Sequence, residues 1–269
     1  MDKGYKLQGK QGVPTVITPT DKLLSLIPQG MSFSIMEEGL VIPKEFKPDT
    51  FPPHALETRK LLSEYNKTVE PENMLYATHK GSFEVDGRFT GSKVILMSKE
   101  DRQHVLIDGE ATIELDVRNC LPFILYADQL GEDLPNDAYD LKGIPRELAK
   151  KAFLMAVNCK TREKARRAIQ SEINLSYGSL GINGAEVLNR LEGAHPDLKE
   201  HLYTAVGRQL MFTESQCMAK FMRSMLDKGI KFYPIYDSVR VPVSKRHIAE
   251  EELKKAFTVG GCEPVIHED

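Results

Sequence analysis

The chain has 269 residues, 41% hydrophobic and 28% charged, and a net charge of −3. That length allows one large domain or two smaller ones around a real core, and the slight acidity excludes a uniformly basic nucleic-acid coat without excluding a local basic groove. The four cysteines, Cys120, Cys159, Cys217 and Cys262, form no C-x-x-C pair and signal neither a disulfide framework nor a zinc site; with no apolar run near the roughly 18 residues of a membrane span and no apolar signal core at the start, a cytoplasmic location is expected.

Residues 1–75 are proline-rich and read as a wrapping arm. They hold one helical stretch, HALETRKLLSEYNKTV, in which Leu56, Leu61, Leu62 and Tyr65 recur at helical spacing. Short β-like runs follow: SFEV, SKVILM, HVLI and ATIELDV, with turns at Asp86-Gly87 and Asp108-Gly109. LPFILYADQL and PRELAKKAFLMAVN then read as helices, Pro145 suiting a first turn. Further helices are expected over residues 162–172, 185–191, 196–206 and 214–228, the last stopped by Gly229. IKFYPI and SVRVPV return to strand texture, before a helix over 249–256 and a last strand in EPVIH. Sheet, helical block, sheet is the order of an α+β domain in which antiparallel strands pair around an insertion. There is no internal repeat.

Asp237, in FYPIYDSVRVP, is either a turn residue or a metal-binding carboxylate at a hairpin tip. Its candidate partner is Asp116, which ends the apolar strand TIELDV. Should those strands pair, the two carboxylates converge and can hold two Mg²⁺ ions about 3.5–4 Å apart, a clamp for phosphoryl transfer. Glu114 shares the face of Asp116 as an auxiliary ligand or an ordinary strand acid. Arg146 and Lys150 lie one helical turn apart on one face, suited to a triphosphate or to plain solubility. They belong to a basic segment, residues 142–167, in which only Glu147 and Glu163 are acidic, so either a polyanion partner or a solvated face accounts for it. Glu214 and Gln216 open a helix, as caps or as groove-facing groups. The seven histidines make no metal cluster, with His195-Pro196 reading as a helix start, and no nucleophile elbow is present.

Four of these elements stand in a telling order: Glu84-Val85-Asp86-Gly87-Arg88, Asp116 at a strand end, Arg146-x-x-x-Lys150, and Tyr236-Asp237-Ser238. Together they resemble the T/D-x-x-G-R element, first catalytic aspartate, fingers helix and H-D-E or H-D-S hairpin of the family A DNA polymerases and the related phage-type single-subunit RNA polymerases. The resemblance runs from about residue 84 to the C-terminus. It implies a right-hand palm with an antiparallel sheet and an inserted helical fingers block: a reduced thumb or arm over 1–75, palm over 76–140, fingers block and palm helix over 141–229, and palm hairpin over 230–269.

The implied activity is template-directed addition of nucleotides to a 3′-OH, as in a small DNA polymerase or a primase-like enzyme. By the same resemblance Asp116, Asp237 and the Val117 carbonyl hold two Mg²⁺, with Mn²⁺ as an alternative, and Lys150 is the proton donor to pyrophosphate. Arg146 and Lys150 take the triphosphate, Leu121 and Asn158 face the sugar, and Arg88, Tyr236 and Gln216 face nucleic acid. The implied partners are a DNA template with a DNA or RNA primer, dNTP or NTP substrates and a clamp or replication partner, with no membrane.

Three positions depart from the pattern: Tyr236 replaces histidine, Asn158 replaces tyrosine, and Leu121 replaces the glutamate of the DNA enzymes. The interval from the fingers helix to Asp237 is also shorter than the family norm, so a distributive enzyme is expected. A palm relative that binds nucleic acid without chemistry and a template-independent nucleotidyltransferase are the alternatives.

Overall fold

A computed structural model describes residues 40–41, 51–134 and 137–268, all inside one unit spanning residues 35–269. The expected features of residues 1–39 and 42–50 lie outside the described residues. The elements in chain order are β1 (Leu40–Val41), α1 (Pro53–Tyr65), β2 (Tyr76–Thr78), β3 (Phe89–Thr90), α2 (Lys93–Leu96), α3 (Lys99–Arg102), β4 (Leu106–Ile107) and β5 (Glu110–Val117). They continue with α4 (Cys120–Leu130), α5 (Arg146–Asn158), α6 (Arg162–Ser176), α7 (Gly184–Ala194), α8 (Gly207–Asp227), β6 (Tyr233–Ile235), β7 (Ser238–Pro242), α9 (Arg246–Phe257) and β8 (Ile266–Glu268). The described chain is a mixed helix and mainly antiparallel sheet structure, as the α+β reading requires.

Strand β5 is central because its two faces have different work. Leu115 and Val117 point into the main core, while Thr112, Glu114 and Asp116 lie on the other face. It pairs antiparallel with β7, Thr112 opposite Pro242 through Asp116 opposite Ser238. Its other edge is shared by β4 at the start and β8 at the end. β6 and β7 form the expected hairpin, with Ile235 opposite Ser238, so Tyr236 and Asp237 are its two-residue tip. Tyr236 has φ 59°, the left-handed value that such a turn demands of its first central residue.

The helices cover this sheet and each other. α8 packs against α9, α4, α1 and α5, while α5, α6 and α7 pack mutually. α1 is part of the same core as the sheet: Leu61, Leu62 and Tyr65 are buried in it, and the Tyr65 hydroxyl donates to the Phe232 carbonyl at 3.1 Å.

Four expectations change. SFEV is no strand and carries a turn at Phe83-Glu84. SKVILM is a short helix with a Ser92 cap, not a strand, because the Ser92 hydroxyl accepts from the Val94 N–H at 3.1 Å and holds the chain in a turn. Residues 196–206 are no helix beyond the single 3₁₀ turn Pro196–Leu198, since Tyr203 and Ala205 both adopt positive φ. α8 begins at Gly207, not at Glu214, so Glu214 and Gln216 lie inside the helix rather than at its cap. Among the described residues no helix is long and apolar enough to cross a membrane.

Candidate active site

The pairing of β5 with β7 brings Asp116 and Asp237 to neighbouring strand ends. Asp116 stands opposite Ser238, and the Val117 N–H donates to the Asp237 carbonyl at 3.2 Å. Both aspartates line one cavity of about 870 Å³, together with Val117, Leu121, Arg88, Tyr236, Arg146, Lys150 and Asn158. Nine of the ten residues singled out by sequence thus meet in a single space. Gln216 is the tenth and lines a different groove with Lys220 and Arg223.

Helix α5 presents Arg146, Lys150, Leu154 and Asn158 to the cavity, four residues at a spacing of four and therefore one stripe. The cations are at its N-terminal end. Arg146 is engaged: its Nε donates to Asp137 Oδ2 at 3.0 Å, its Nη2 to Asn119 Oδ1 at 3.2 Å, and its guanidinium lies 5.2 Å above the Tyr139 ring. Burial raises the Asp137 carboxyl, but the hydrogen bonds from Arg146, the Tyr139 backbone and Asn119, together with the Arg146 charge, outweigh it and hold the group below the ordinary range. At the far end of the stripe the Asn158 amide donates to the Leu154 carbonyl at 2.8 Å and sits against Gly207, where an added Cβ would be 2.4 Å from Asn158 Oδ1.

Beside Asp237 lies a buried acid, Glu214. Glu214 is 1% exposed, and its Oε2 is 2.5 Å from Arg88 Nη2. Burial, then the charge of Asp237, pushes its carboxyl up to about 7 despite Arg88. Burial raises Asp237 as well, opposed by its own backbone and by the cations Arg88 and Lys150. Arg88 in turn lies 5.4 Å from the centre of the Tyr236 ring. Cys120, Glu214 and Asp237 each offer a ligand atom within 4.8 Å of the others and could hold a metal ion. Cysteine spacing alone gave no hint of this, because the three donors come from three separate elements.

Glu114 is no auxiliary ligand. It is buried and accepts from Arg102 at 2.9 and 3.0 Å, from Arg240 at 3.1 Å and from Ser238 at 3.0 Å, so its oxygens are committed to pinning β5 to β7. His195 is a structural histidine, bonded to the Tyr126 hydroxyl at 3.0 Å and to the Ala138 carbonyl at 2.9 Å. Much of the basic segment is paired within the protein: Arg162 with Glu192, Arg166 and Arg167 with Glu163, and Lys151 with Glu172. Sequence reading missed Cys120, Asp137 and Tyr139. No motif marks the last two, which reach the cavity from the segment before α5.

No family model matches the chain, and no curated protein matches it. Among solved structures it has a partial likeness to the POL domain of Pol1 from M. smegmatis, in complex with DNA primer-template and dNTP, at 12% identity and a TM-score of 0.36. The alignment covers 80% of this chain and 51% of that one, so the chain spans about half the length of that polymerase domain.

Proposed function

We propose that the chain is a nucleotidyltransferase of the right-hand palm type, extending a 3′-OH on a template by two-metal phosphoryl transfer. The observation that carries this reading is the single cavity bounded by Asp116 and Asp237 at one side and by the Arg146–Lys150–Leu154–Asn158 stripe of α5 at the other. Phosphoryl transfer asks for little else, because positioning and charge neutralisation supply most of the catalysis. In this reading residues 76–140 and 230–269 are the palm, 141–229 the fingers block and palm helix, and 1–75 an arm or reduced thumb.

The donors suit Mg²⁺: two carboxylates on adjacent strand ends, with the Val117 carbonyl beside them, offer hard oxygen ligands. Magnesium there supplies charge neutralisation at the attacking and leaving oxygens. Arg146 forks onto the triphosphate after leaving Asp137, and Lys150 adds a point charge and the proton that pyrophosphate takes on departure. Arg88 and the exposed Tyr236 face the strand that carries the 3′-OH. Leu121 and Asn158 border the sugar, the first by bulk and the second by an amide.

The test is primer extension with labelled dNTPs and NTPs in parallel, with and without primer and template. Asp116→Ala and Asp237→Ala should abolish incorporation while leaving the circular dichroism unchanged, and Lys150→Ala should slow it about 10²–10⁴-fold. Full activity in any of the three sinks the assignment. A second reading, a palm that binds nucleic acid without chemistry, is favoured by the commitment of Arg88 to Glu214. DNA binding without incorporation in Mg²⁺ or Mn²⁺ would select it, and homopolymer formed without template would select the template-independent enzyme.

A further inference from the structure

Cys120 opens α4, Glu214 lies inside α8 and Asp237 is at the β6–β7 tip, yet their ligand atoms gather within 4.8 Å. Cys120 and Glu214 are buried. Glu214 Oε2 is taken by Arg88, whereas Oε1 is buried with no hydrogen-bond partner among the described residues. A carboxylate oxygen in that state is costly to keep, and a cation is the partner that best removes the cost. Cys120 and Asp237 both line the 870 Å³ cavity, which gives an ion a route from solvent.

We propose that the Cys120 thiolate, the Glu214 carboxylate and the Asp237 carboxylate form a site for a thiophilic divalent ion, Zn²⁺ or Co²⁺, with a donor set different from the oxygen pair Asp116 and Asp237. A thiolate donor selects zinc or cobalt over magnesium, which wants oxygen throughout. Three protein ligands leave a fourth tetrahedral position open toward the cavity. Arg88 is then the outer partner that orients Glu214, as such ligands require. On binding, the Cys120 S–H bond breaks and its proton goes to water, any proton held on the Glu214 carboxyl leaves the same way, and metal–sulfur and metal–oxygen bonds form, with the metal remaining divalent. Because Asp237 belongs to both donor sets, an ion held by the thiol withdraws Asp237 from Asp116. This last consequence rests on the proposed function; the binding of the ion does not.

The experiment titrates the full chain with Co²⁺ and follows the thiolate-to-cobalt charge-transfer absorption. One equivalent should produce the band. Cys120→Ser should abolish it and weaken binding by more than the about 10–100-fold that loss of an outer-shell partner costs. Glu214→Gln should weaken binding, whereas Cys159→Ser and Asp116→Asn should keep the band. Zinc-edge X-ray absorption of the unaltered chain needs no variant to fold: it should show one sulfur neighbour at about 2.3 Å. A shell of nitrogen and oxygen alone, or a cobalt band that survives Cys120→Ser, overturns the proposal. Where primer extension is present, Zn²⁺ should inhibit it and Cys120→Ser should relieve the inhibition. A chain that extends no primer but gives the band rejects the polymerase reading and retains the metal site.

Discussion

Two side chains shape the chemistry of the cavity: Glu214, which the sequence offers as a cap or a groove-facing group, and Asp137, which no motif marks. Glu214 keeps its proton up to about 7 in the folded protein, against 4.5 for the ordinary carboxyl, first because it is buried and then because Asp237 is near. The folded state therefore holds a proton that the unfolded chain releases between those values. The stability linked to it is complete below about pH 4.5 and is lost as the pH rises through about 7. Glu214→Gln keeps the shape without the titration, so its unfolding free energy should decline less across this window, by up to roughly 3 kcal/mol. Denaturant titrations at about pH 5 and about pH 8 measure the difference, and an equal fall in unfolding free energy between those pH values in the two proteins defeats the argument. Asp137 acts on the other side of the cavity by occupying the Arg146 fork. A half-exposed pair of this kind contributes about 1 kcal/mol or less, so the triphosphate of the proposed reaction would displace it easily. Asp137→Asn should tighten tripolyphosphate binding, read by calorimetry, at most about fivefold. That gain should vanish in an Arg146→Ala background if the carboxylate competes for the fork, and persist there if it acts only through space.

Helices α5 and α8 meet where the Asn158 amide rests on Gly207. An alanine Cβ at 207 would fall 2.4 Å from Asn158 Oδ1, which is the movable end of a side chain, so the amide shifts and the backbone stays. Gly207→Ala should therefore alter stability by no more than about 1 kcal/mol, read from the denaturation midpoint, and under the proposed function it should change the ratio of dNTP to NTP incorporation. An unchanged ratio would mean that Asn158 does not face the sugar. Elements of this kind differ in how plainly their residues announce them. The β5–β7 pair was legible because Leu115, Val117, Val239 and Val241 carry a strand-like apolar pattern around polar Glu114, Asp116 and Ser238, and the α5 stripe because Arg146 and Lys150 stand one turn apart. The start of α8 was not, since Val206 provides no side-chain cap and already has helical φ and ψ. Nor was the Ser92 helix, where one hydroxyl outweighs the strand preference of Val94 and Ile95. Asp137 and Tyr139 were hidden for a different reason: a loop residue reaches a cavity through tertiary placement, which leaves no periodic trace.

At the scale of the whole molecule the boundary expected near residue 75 is crossed by the core. Leu62 and Tyr65 of α1 are fully buried, Tyr65 packs on Phe232 with ring centres 5.3 Å apart, and Phe232 packs on Phe221 of α8 at 5.5 Å. Arg223 of α8 closes the contact with an ion pair to Glu64 at 2.5 Å. A helix fixed in this way shares its stability with the strands that hold Asp116 and Asp237 rather than wrapping them from outside. Leu62→Ala removes a buried side chain with no solvent to fill the gap, a change that costs about 2–5 kcal/mol. If α1 and the sheet unfold together, the amides of β5 and α8 should lose that same protection in native-state hydrogen exchange, although they are distant in sequence. Loss confined to residues 53–65 would instead make α1 a separable arm, and the aspartate pair would then keep its geometry without it.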